Sequence, residues 1–597
     1  MGLQHAAHIC WEHVPHTFWS SLSILTLLLI AALLMHRMVM PKPLSAIPYN
    51  PEALHRLFGD IPSIIAWNKR HGEQRKWFQA QAIRHNSPIV QVFTKPFWYG
   101  PQVVLTDHKE IHDIFHHRWK EFDKGYKESE AFGGIIPDEL LSLKLRSPEY
   151  KFHKDLMRDL MLPQFLHTVN APQIYDKSML LIDLWKRKAE IAAGAPFIFR
   201  QDIHMAALDI IMAASFGLSQ DESCITKQIH ALPEKIPQLN GEQPSDATTI
   251  HHFEDVPMDS EAKAITDLAA SVQIGFSSPI PVQHHWFLRQ LPHLRGAIKI
   301  KNGLMRRKIS ESLKRMPRND EEAVKSARTA LDNMLYRERL LAQKAGREPN
   351  FHASYIYDEM LAYVIAGHDT TSSTLSWGLM YLADHQQPQE TLRHHLSLVY
   401  SQAVAQQRQP TAHEIISSHA PYLDAVIEEI LRVSVVLPMI SREALVDTTI
   451  LGYPIPKGTL VMCLSNGPSF FSPGISVDEH LRTKESAKVA GWDDHHMDTF
   501  KPERWLERSN NSAGGEKADS MIFNSRKGPM NSFGGGPRGC FGKRLAYMEM
   551  RILVVLLFFN FKLLPIDPEL RSYRRHEQIT VEPADCHIRL RVAPLWM

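Results

Sequence analysis

The sequence predicts a mainly helical fold with small β-sheets, built as one large domain behind an apolar N-terminal segment. Long stretches repeat apolar residues at helical spacing, among them the proline-free segment 354–382. A short strand pair is predicted near Ile89–Phe93 and Gln102–Thr106. No proline- and serine-rich linker divides the chain cleanly, so the length is best explained by a single α+β domain with insertions.

The N-terminal segment is predicted to be a membrane anchor. Residues 18–36 form a strongly apolar run, long enough to cross most of a bilayer core. Arg37 and Lys42 follow this run, whereas residues 1–17 contain no Lys or Arg. The positive-inside bias therefore predicts a lumenal tail at 1–17 and a cytosolic location for the large domain. A cleaved signal peptide is the alternative, disfavoured because a charged n-region is absent.

Residues 37–51 are rich in proline and predict a stiff tether between anchor and domain. The domain itself is predicted to occupy 52–597, with polar insertions near residues 219–262, 471–499 and 506–528. A glycosylation sequon at Asn510 lies in the last of these, where a cytosolic location would leave it unused.

Charge and cysteine content exclude several classes of protein. The chain carries 67 basic and 65 acidic residues, a formal net charge of +2, which gives no sign of a nucleic-acid partner. Its five cysteines show no paired spacing. The sequence therefore predicts neither a disulfide framework nor a Cys-x-x-Cys zinc site.

One cysteine stands in a setting suited to a metal thiolate. Residues 533–542 read Phe-Gly-Gly-Gly-Pro-Arg-Gly-Cys-Phe-Gly, which places Cys540 just before a predicted helix. Unpaired backbone N–H groups and the positive dipole end of a helix favour a thiolate. The glycines would let a flat macrocycle approach the backbone, and Arg538 offers a cation for an acidic group on it.

The same loop contains the G-x-G-x-x-G pattern of dinucleotide-binding folds, which is the competing interpretation. That pattern needs a preceding apolar strand and an acidic ribose ligand about 20 residues later. Here a polar loop precedes the glycines, and an apolar run occupies the second position. A nucleotide site is therefore disfavoured.

The predicted helix 354–382 carries an unusual polar cluster at its middle. Residues 366–371 read Ala-Gly-His-Asp-Thr-Thr. An acid beside an alcohol, Asp369 and Thr370, can relay protons, and Gly367 would open a groove for a small molecule. The alternative is a helix kink or a hydrogen-bonded polar patch in the core. His368 is interpreted as a bystander or a ligand to water.

A third cluster combines one acid with two arginines. Glu429 and Arg432 lie one helical turn apart, and Arg504 stands in the apolar segment 500–505. A Glu–Arg pair at this spacing is usually a surface ion pair of little energetic value. Sharing of the Glu429 carboxylate by two guanidinium groups would instead form a buried network.

Taken together, these clusters resemble the cytochrome P450 superfamily, the haem-thiolate monooxygenases, over about residues 48–595. The 533–542 loop matches the haem-binding signature of that family, and 366–371 is similar to its oxygen-activation motif. Glu429-x-x-Arg432 and the segment 502–505 resemble its invariant triad, in the same order along the chain. The anchor and tether look like those of eukaryotic microsomal members, and the sequence as a whole resembles fungal members.

The resemblance implies a haem b cofactor with the Cys540 thiolate as its axial ligand. One departure concerns an early helix, where the usual Trp-x-x-x-Arg is replaced by Tyr150-x-x-x-Lys154, and a Lys lacks the planar fork of an Arg. The implied cofactor-binding residues are Phe533, Gly536, Arg538, Gly542, Arg442, Tyr150 and Lys154. Glu429, Arg432 and Arg504 are implied to form the structural triad.

The implied reaction inserts one oxygen atom of O2 into an apolar small molecule, with Asp369 and Thr370 delivering protons. Electrons would come from NADPH through a separate membrane-bound cytochrome P450 reductase, because the chain offers no credible flavin or nicotinamide site. The expected location is the endoplasmic reticulum membrane, single-pass, with the catalytic domain cytosolic. A basic face including Lys527, Lys543 and Arg544 could dock the reductase.

Several functions remain open at this level. Fungal secondary-metabolite biosynthesis is the favoured role, and hydroxylation of fatty acids or xenobiotics is the alternative. A haem-thiolate isomerase, dehydratase or peroxygenase would have little need of the acid–alcohol pair. A non-catalytic haem or lipid carrier belongs to another class. The resemblance implies that residues 435–440, 124–140 and 578–581 line the substrate pocket.

Overall fold

The computed structural model describes residues 16–94, 100–234, 249–278, 280–490, 496–508 and 521–596. Most of the predicted lumenal tail and Asn510 lie outside these ranges, as do parts of the three predicted insertions. The helices are α1 (His16–Val39), α2 (Ile61–His71), α3 (Gln74–Arg84), α4 (His108–His116), α5 (Tyr126–Gly133), α6 (Pro148–Leu156), α7 (Pro163–Phe165), α8 (Ala171–Ala192), α9 (Arg200–Phe216), α10 (Cys224–Ala231), α11 (Ser260–Ser277), α12 (Pro281–Leu288), α13 (Pro292–Arg315), α14 (Asp320–Lys325), α15 (Ala330–Lys344), α16 (Ser354–Asp384), α17 (Gln386–Val399), α18 (Ser401–Ala405), α19 (Ala412–Ser417), α20 (Pro421–Ser434), α21 (Lys484–Ala487) and α22 (Lys543–Asn560).

The strands are short. They are β1 (Ile89–Val92), β2 (Gln102–Leu105), β3 (Phe122–Lys124), β4 (Phe197–Ile198), β5 (Met439–Ala444), β6 (Thr448–Ile450), β7 (Tyr453–Ile455), β8 (Leu460–Leu464), β9 (Leu506–Arg508), β10 (Met521–Phe523), β11 (Phe561–Leu563), β12 (Arg575–Glu577), β13 (Val581–Pro583), β14 (His587–Ile588) and β15 (Leu590–Val592). The prediction of a mainly helical chain with small sheets is confirmed.

The largest sheet has the strand order β1-β2-β8-β5-β3. The predicted strand pair is its β1–β2 hairpin, which is antiparallel, and β2 pairs with β8 in parallel. At the other edge, β3 pairs with β5 so that Lys124 lies opposite Arg442. This register decides which charged side chains meet at the candidate site.

The predicted membrane-spanning residues 18–36 lie within α1. Large apolar side chains of this helix, among them Ile24, Leu25 and Leu28, are more than half exposed. Over the residues that the structure describes, no helix is long and apolar enough to cross a membrane.

The proline-rich segment after α1 does not stand clear of the domain along its whole length. Gln91 of β1 accepts a hydrogen bond from the backbone N–H of Leu44 at 2.7 Å. The Gln91 side-chain amide donates to the carbonyls of Leu44 and Ile47 at 2.9 and 2.7 Å, and Ile47 is buried. The part of the tether around these two residues is therefore held against the sheet.

The helical core is organised around α16, the predicted long buried helix, which runs through Asp384. Helices α9, α20 and α22 all pack against it. Helix α22 begins at Lys543 after the N-cap residue Gly542, and its apolar run 552–559 is buried. Burying apolar area on several faces makes α16 and α22 a rigid frame for the residues they carry.

Candidate active site

The loop before α22 is shaped by two glycines with left-handed backbone. Gly534 has φ of 60° and Gly536 has φ of 62°, a region that other residues adopt only with strain. A Cβ added to Gly536 would collide with the carbonyl oxygen of Phe115, at the end of α4. The backbone N–H of Cys540 donates to the carbonyl of Phe533 at 2.9 Å. The loop is thus closed on itself and pressed against α4.

Cys540 lies two residues before the N-cap of α22 and is exposed on one side. Burial of the sulfur among protein atoms raises the pKa of its thiol, while backbone N–H groups of Gly542 and Lys543 and the charge of Lys543 act to lower it. Those N–H groups would stabilise a thiolate once the proton is displaced by a metal ion.

Arg442 and Arg538 converge beside this loop. The Arg538 Nε donates to the Asp123 carboxylate at 2.9 Å, and its guanidinium lies 4.4 Å from the ring centroid of Tyr150. Arg442 is 6% exposed on β5, with its guanidinium 4.4 Å from the ring centroid of Phe115. Burial lowers the pKa of Arg442. Two cations held this way suit the carboxylates of a ligand.

Tyr150 and Lys154, which stand where the early-helix pattern usually has Trp and Arg, take different positions on α6. The Tyr150 hydroxyl donates to the carbonyl of Pro537 at 3.2 Å, so this ring contacts the cysteine loop. Lys154 is exposed, with its Nζ 5.9 Å from the ring centroid of Tyr150. Tyr150 is therefore adjacent to the candidate site, whereas Lys154 lies at its outer side.

These residues fit the haem that the resemblance implies. Cys540 supplies a soft sulfur ligand backed by N–H groups, while Arg442 and Arg538 supply buried positive charge for two carboxylates. Phe533 and Gly542 frame the cysteine at either end of the loop. Among the described residues, Arg442 has no carboxylate partner within 4.0 Å, which leaves its charge available to a ligand.

The acid and the alcohol on α16 are hydrogen-bonded to different partners. The Asp369 carboxylate accepts a hydrogen bond from the Thr580 hydroxyl at 2.9 Å. The Thr370 hydroxyl donates to the carbonyl of Ala366 at 2.7 Å, within the helix. Burial raises the pKa of Asp369, and the positive charge of nearby His204 and the Thr580 hydrogen bond lower it. Burial thus favours the protonated form of this carboxyl, which can donate a proton.

Gly367 lies where α16 packs closely against α9. A Cβ at this position would lie 2.6 Å from the Ile211 side chain of α9. The absence of a side chain at Gly367 thus lets Ile211 pack closely against α16, and the groove predicted at this half-buried residue stays a prediction.

His368 is buried and belongs to a polar group on the same side of α16. Its Nε2 lies 3.3 Å from Nδ1 of His204, whose Nε2 lies 3.0 Å from the Glu582 carboxylate. Burial lowers the pKa of His368 to about 3, so it is neutral at physiological pH. Its interpretation as a ligand to water stays a prediction.

The Glu429 carboxylate is the centre of a buried ion-pair network. It accepts hydrogen bonds from Arg432 at 2.7 and 2.8 Å and from Arg504 at 3.1 Å. The Trp505 indole and the backbone N–H of Lys501 donate to it at 2.9 and 2.8 Å. Glu429 is fully buried, so the arrangement is the buried network and not the surface ion pair.

Sequence reasoning missed three contributors to these clusters. Trp505 belongs to the segment 502–505, but no neighbouring residue in the sequence indicated that its indole N–H donates to Glu429. Thr580 lies in a predicted pocket turn, and its bond to Asp369 spans 211 residues. Lys124 is placed opposite Arg442 by strand register alone. Long-range contacts of this kind carry no signal in the neighbouring sequence.

The chain matches one protein family over most of its length. A family model described as Cytochrome P450 matches residues 57–467 and 495–587. The chain is 37% identical to the cytochrome P450 monooxygenase TRI13 of Fusarium sporotrichioides, over 95% of this chain and 98% of that protein. It is 32% identical to the cytochrome P450 monooxygenase xilC of Penicillium rubens, over 96% of each.

A solved structure shows the same fold at low sequence identity. The crystal structure of the cytochrome P450DA heme domain superposes with a TM-score of 0.65 and 16% identity, covering 93% of this chain and 99% of that one.

Proposed function

Since this chain belongs to the cytochrome P450 family and is a cytochrome P450 monooxygenase, we propose that it oxidises an apolar small molecule in fungal secondary metabolism. The observation that carries the chemistry is Cys540 at the start of α22, beside the two buried arginines. The fungal origin of the similar monooxygenases supports the metabolic setting.

The proposed cofactor is haem b, held by the Cys540 thiolate through iron and by Arg442 and Arg538 through its carboxylates. Bound in this way, the haem would supply the redox chemistry of oxygen activation. The protein's own part is to hold the cofactor, exclude water and place proton donors. Phe533, Gly536 and Gly542 shape the loop that would approach one face of the cofactor.

Proton delivery is proposed for Asp369 and Thr370. The two motifs are physically connected, because α16 packs against α22. A hydroxyl at Thr370 can receive a proton and pass it on, while the raised pKa of Asp369 lets that carboxyl reload. Proton donors that are shielded from bulk water favour transfer of each electron pair into product instead of peroxide.

The electrons are proposed to come from an NADPH-dependent cytochrome P450 reductase. A groove of about 540 Å³ lies on the surface beside α22 and includes Lys543, Arg544 and Arg551 in its lining. A basic rim of this kind would steer an acidic partner toward the cysteine side. The N-terminal segment 18–36 is proposed to anchor the chain in the endoplasmic reticulum membrane, next to such a reductase, with its domain in the cytosol.

The proposal is tested by reconstituting purified protein with a cytochrome P450 reductase and NADPH. Reduced protein under carbon monoxide is expected to show the red-shifted Soret band of thiolate ligation. Extracts of a strain lacking this protein, compared with its parent, supply candidate substrates for turnover. A haem or lipid carrier would bind these compounds without consuming NADPH, and that outcome would overturn the monooxygenase assignment for them.

Replacement of Thr370 by alanine is expected to uncouple the reaction. Without the hydroxyl, product per NADPH should fall by roughly tenfold to a hundredfold, the larger figure being the lower edge of what positioned proton donors contribute, with peroxide released instead. T370S keeps the hydroxyl and is the matched control, expected near wild type. Unchanged coupling in T370A would remove Thr370 from the proton route.

A further inference from the structure

Helix α12 packs against α5 and α11 through a buried histidine. Pro281 and His285, one turn apart, are the buried residues of this helix, and His285 is 1% exposed. Trp286 and Phe287, which follow His285, are 68% and 59% exposed. The usual amphipathic pattern is therefore inverted here, with a polar ring buried and two large apolar side chains exposed to solvent.

The His285 ring lies in a space between α5 and α11 that two glycines leave open. A Cβ added to Gly134, just after α5, would overlap the ring, and one added to Gly275 of α11 would lie 2.8 Å from Nε2 of His285. The same Cβ at Gly275 would lie 3.0 Å from the carbonyl oxygen of Ala131, so α5 and α11 approach closely at this point. His285 therefore joins three helices at one place.

The packing around His285 accepts the neutral ring and not the charged one. Within the described part of the chain, Nδ1 and Nε2 are both buried without a hydrogen-bond partner. The Arg289 guanidinium, at the end of α12, donates to the carbonyl of Gly134 and makes the neighbouring contact with α5. An imidazolium donates from both nitrogens and needs two acceptors, so burying it here would cost far more than burying the neutral imidazole.

The charges that act on the His285 ring oppose its protonation. Burial, and after it the positive charges of Arg289 and His284, lower the pKa of His285 from its usual 6.5 to about 4. The parts of α5 and α11 that face the ring are glycines and backbone, which do not titrate. Asp358 of α16 acts instead on the pKa of Arg289, which it raises against the effect of burial. The contact is therefore made by a neutral histidine at physiological pH.

The end of α5 that His285 contacts lies beside the candidate site. Ile136, shortly after α5, is buried in one apolar cluster with Ile365 of α16. Ile365 stands about one helical turn before Asp369 on the same helix. Release of α12 from α5 would therefore loosen the packing next to the proposed proton donors.

We propose that His285 is an acid-sensitive latch on the oxidation site: its neutral ring holds α12 against α5 and α11, and its protonation releases α12. This inference rests on the proposed function and adds a regulation to it. Once released, the ring is in water, where its pKa is the usual 6.5. The closed form is fully favoured above that pH, and the ratio of closed to open protein falls about tenfold for each pH unit below it, until the pH reaches about 4.

Hydrogen–deuterium exchange of the haem-loaded protein measures the opening. Protection factors of residues 281–289, corrected for the intrinsic pH dependence of exchange, are compared at about pH 7.5 and about pH 5.5. An eight-residue helix released from its contacts is unstable in water, so its amides exchange. We expect about tenfold lower protection at the acidic pH, and no change over the buried run 552–559 of α22. A change below about twofold in wild type would overturn the proposal.

H285F and H284F are the matched variants. Phenylalanine has a ring of similar size and cannot be protonated, so H285F should keep its protection at both pH values. His284 is half-buried, and H284F retains the latch, so it should lose protection about tenfold, as wild type does. A loss of that size in H285F would contradict the proposal. H285Q, which also carries no titratable group, has the same expected result and replaces H285F if that variant does not fold.

Association of tert-butyl isocyanide with the reduced haem separates this inference from the proposed function. The probe is neutral and bulky, so its association followed by stopped-flow absorbance should be about tenfold faster at the acidic pH in wild type and unchanged in H285F. Exchange that follows pH while isocyanide association does not would show that the contact leaves the site untouched, and the proposal would be wrong. If both follow pH but NADPH-dependent turnover is absent, the proposed function fails and the latch stands.

Discussion

Replacement of Cys540 by serine is expected to abolish the red-shifted Soret band and to reduce NADPH-dependent product formation by roughly a hundredfold or more, about 3 kcal/mol of transition-state stabilisation. The reason is that a serine hydroxyl is a harder and far less acidic ligand than a thiol, so it cannot donate electron density to iron as a thiolate does. Absorbance of the reduced, carbon-monoxide-treated protein and product yield with reductase are the two measurements.

The matched control is the same substitution at Cys586. This cysteine is buried, and its Sγ donates to the carbonyl of Pro583 at 3.6 Å, a contact that a serine hydroxyl can replace. C586S should keep the Soret band and turnover, at a small cost in stability. A C540S variant that retains the thiolate band would contradict the assignment of Cys540 as metal ligand.

Replacement of Glu429 by glutamine is expected to lower the free energy of unfolding by about 3–5 kcal/mol. The amide keeps the shape of the side chain but removes the charge that Arg432 and Arg504 share in the buried network. Two guanidinium groups would lose the negative charge of Glu429 in a site shielded from water, where the desolvation penalty is large. Thermal and urea unfolding of the haem-loaded protein measure the loss.

Glu414 provides a control of the same chemical type. It pairs with Arg408 at 2.7 Å, and both side chains are about one-third exposed. Water and salt screen that pair, so E414Q should cost no more than about 1 kcal/mol. Equal destabilisation by E429Q and E414Q would show that burial of the Glu429 network carries no special energetic weight.

Prediction from sequence succeeded where the signal is local. Apolar spacing over 354–382 predicted a buried helix, and the structure has α16 at Ser354–Asp384. Glu429 and Arg432 were predicted to lie one helical turn apart, and both are on α20 at Pro421–Ser434. Helices can be predicted from local periodicity because their hydrogen bonds join residues only a few positions apart.

Prediction failed where a distant segment determines the environment of a residue. Nothing near Gly367 in the sequence indicated that Ile211 of α9 would pack against its side-chain position. The proline-rich segment was predicted to be a stiff tether, and nothing in the sequence indicated that Gln91 of β1 binds its backbone at Leu44 and Ile47. A single sequence does not reveal which side chains another element brings into contact.

The amino-acid sequence alone determined the helical fold class and the residues that carry the proposed chemistry, Cys540, Asp369 and Thr370, because each is marked by its immediate neighbours. Only the tertiary structure decided which cations surround the cysteine loop. Lys124 meets Arg442 through the register of β3 on β5, and a shift of one residue would turn either side chain to the opposite face of the sheet. Folding decides which charged side chains lie next to each other, so this cannot be obtained from their positions along the chain.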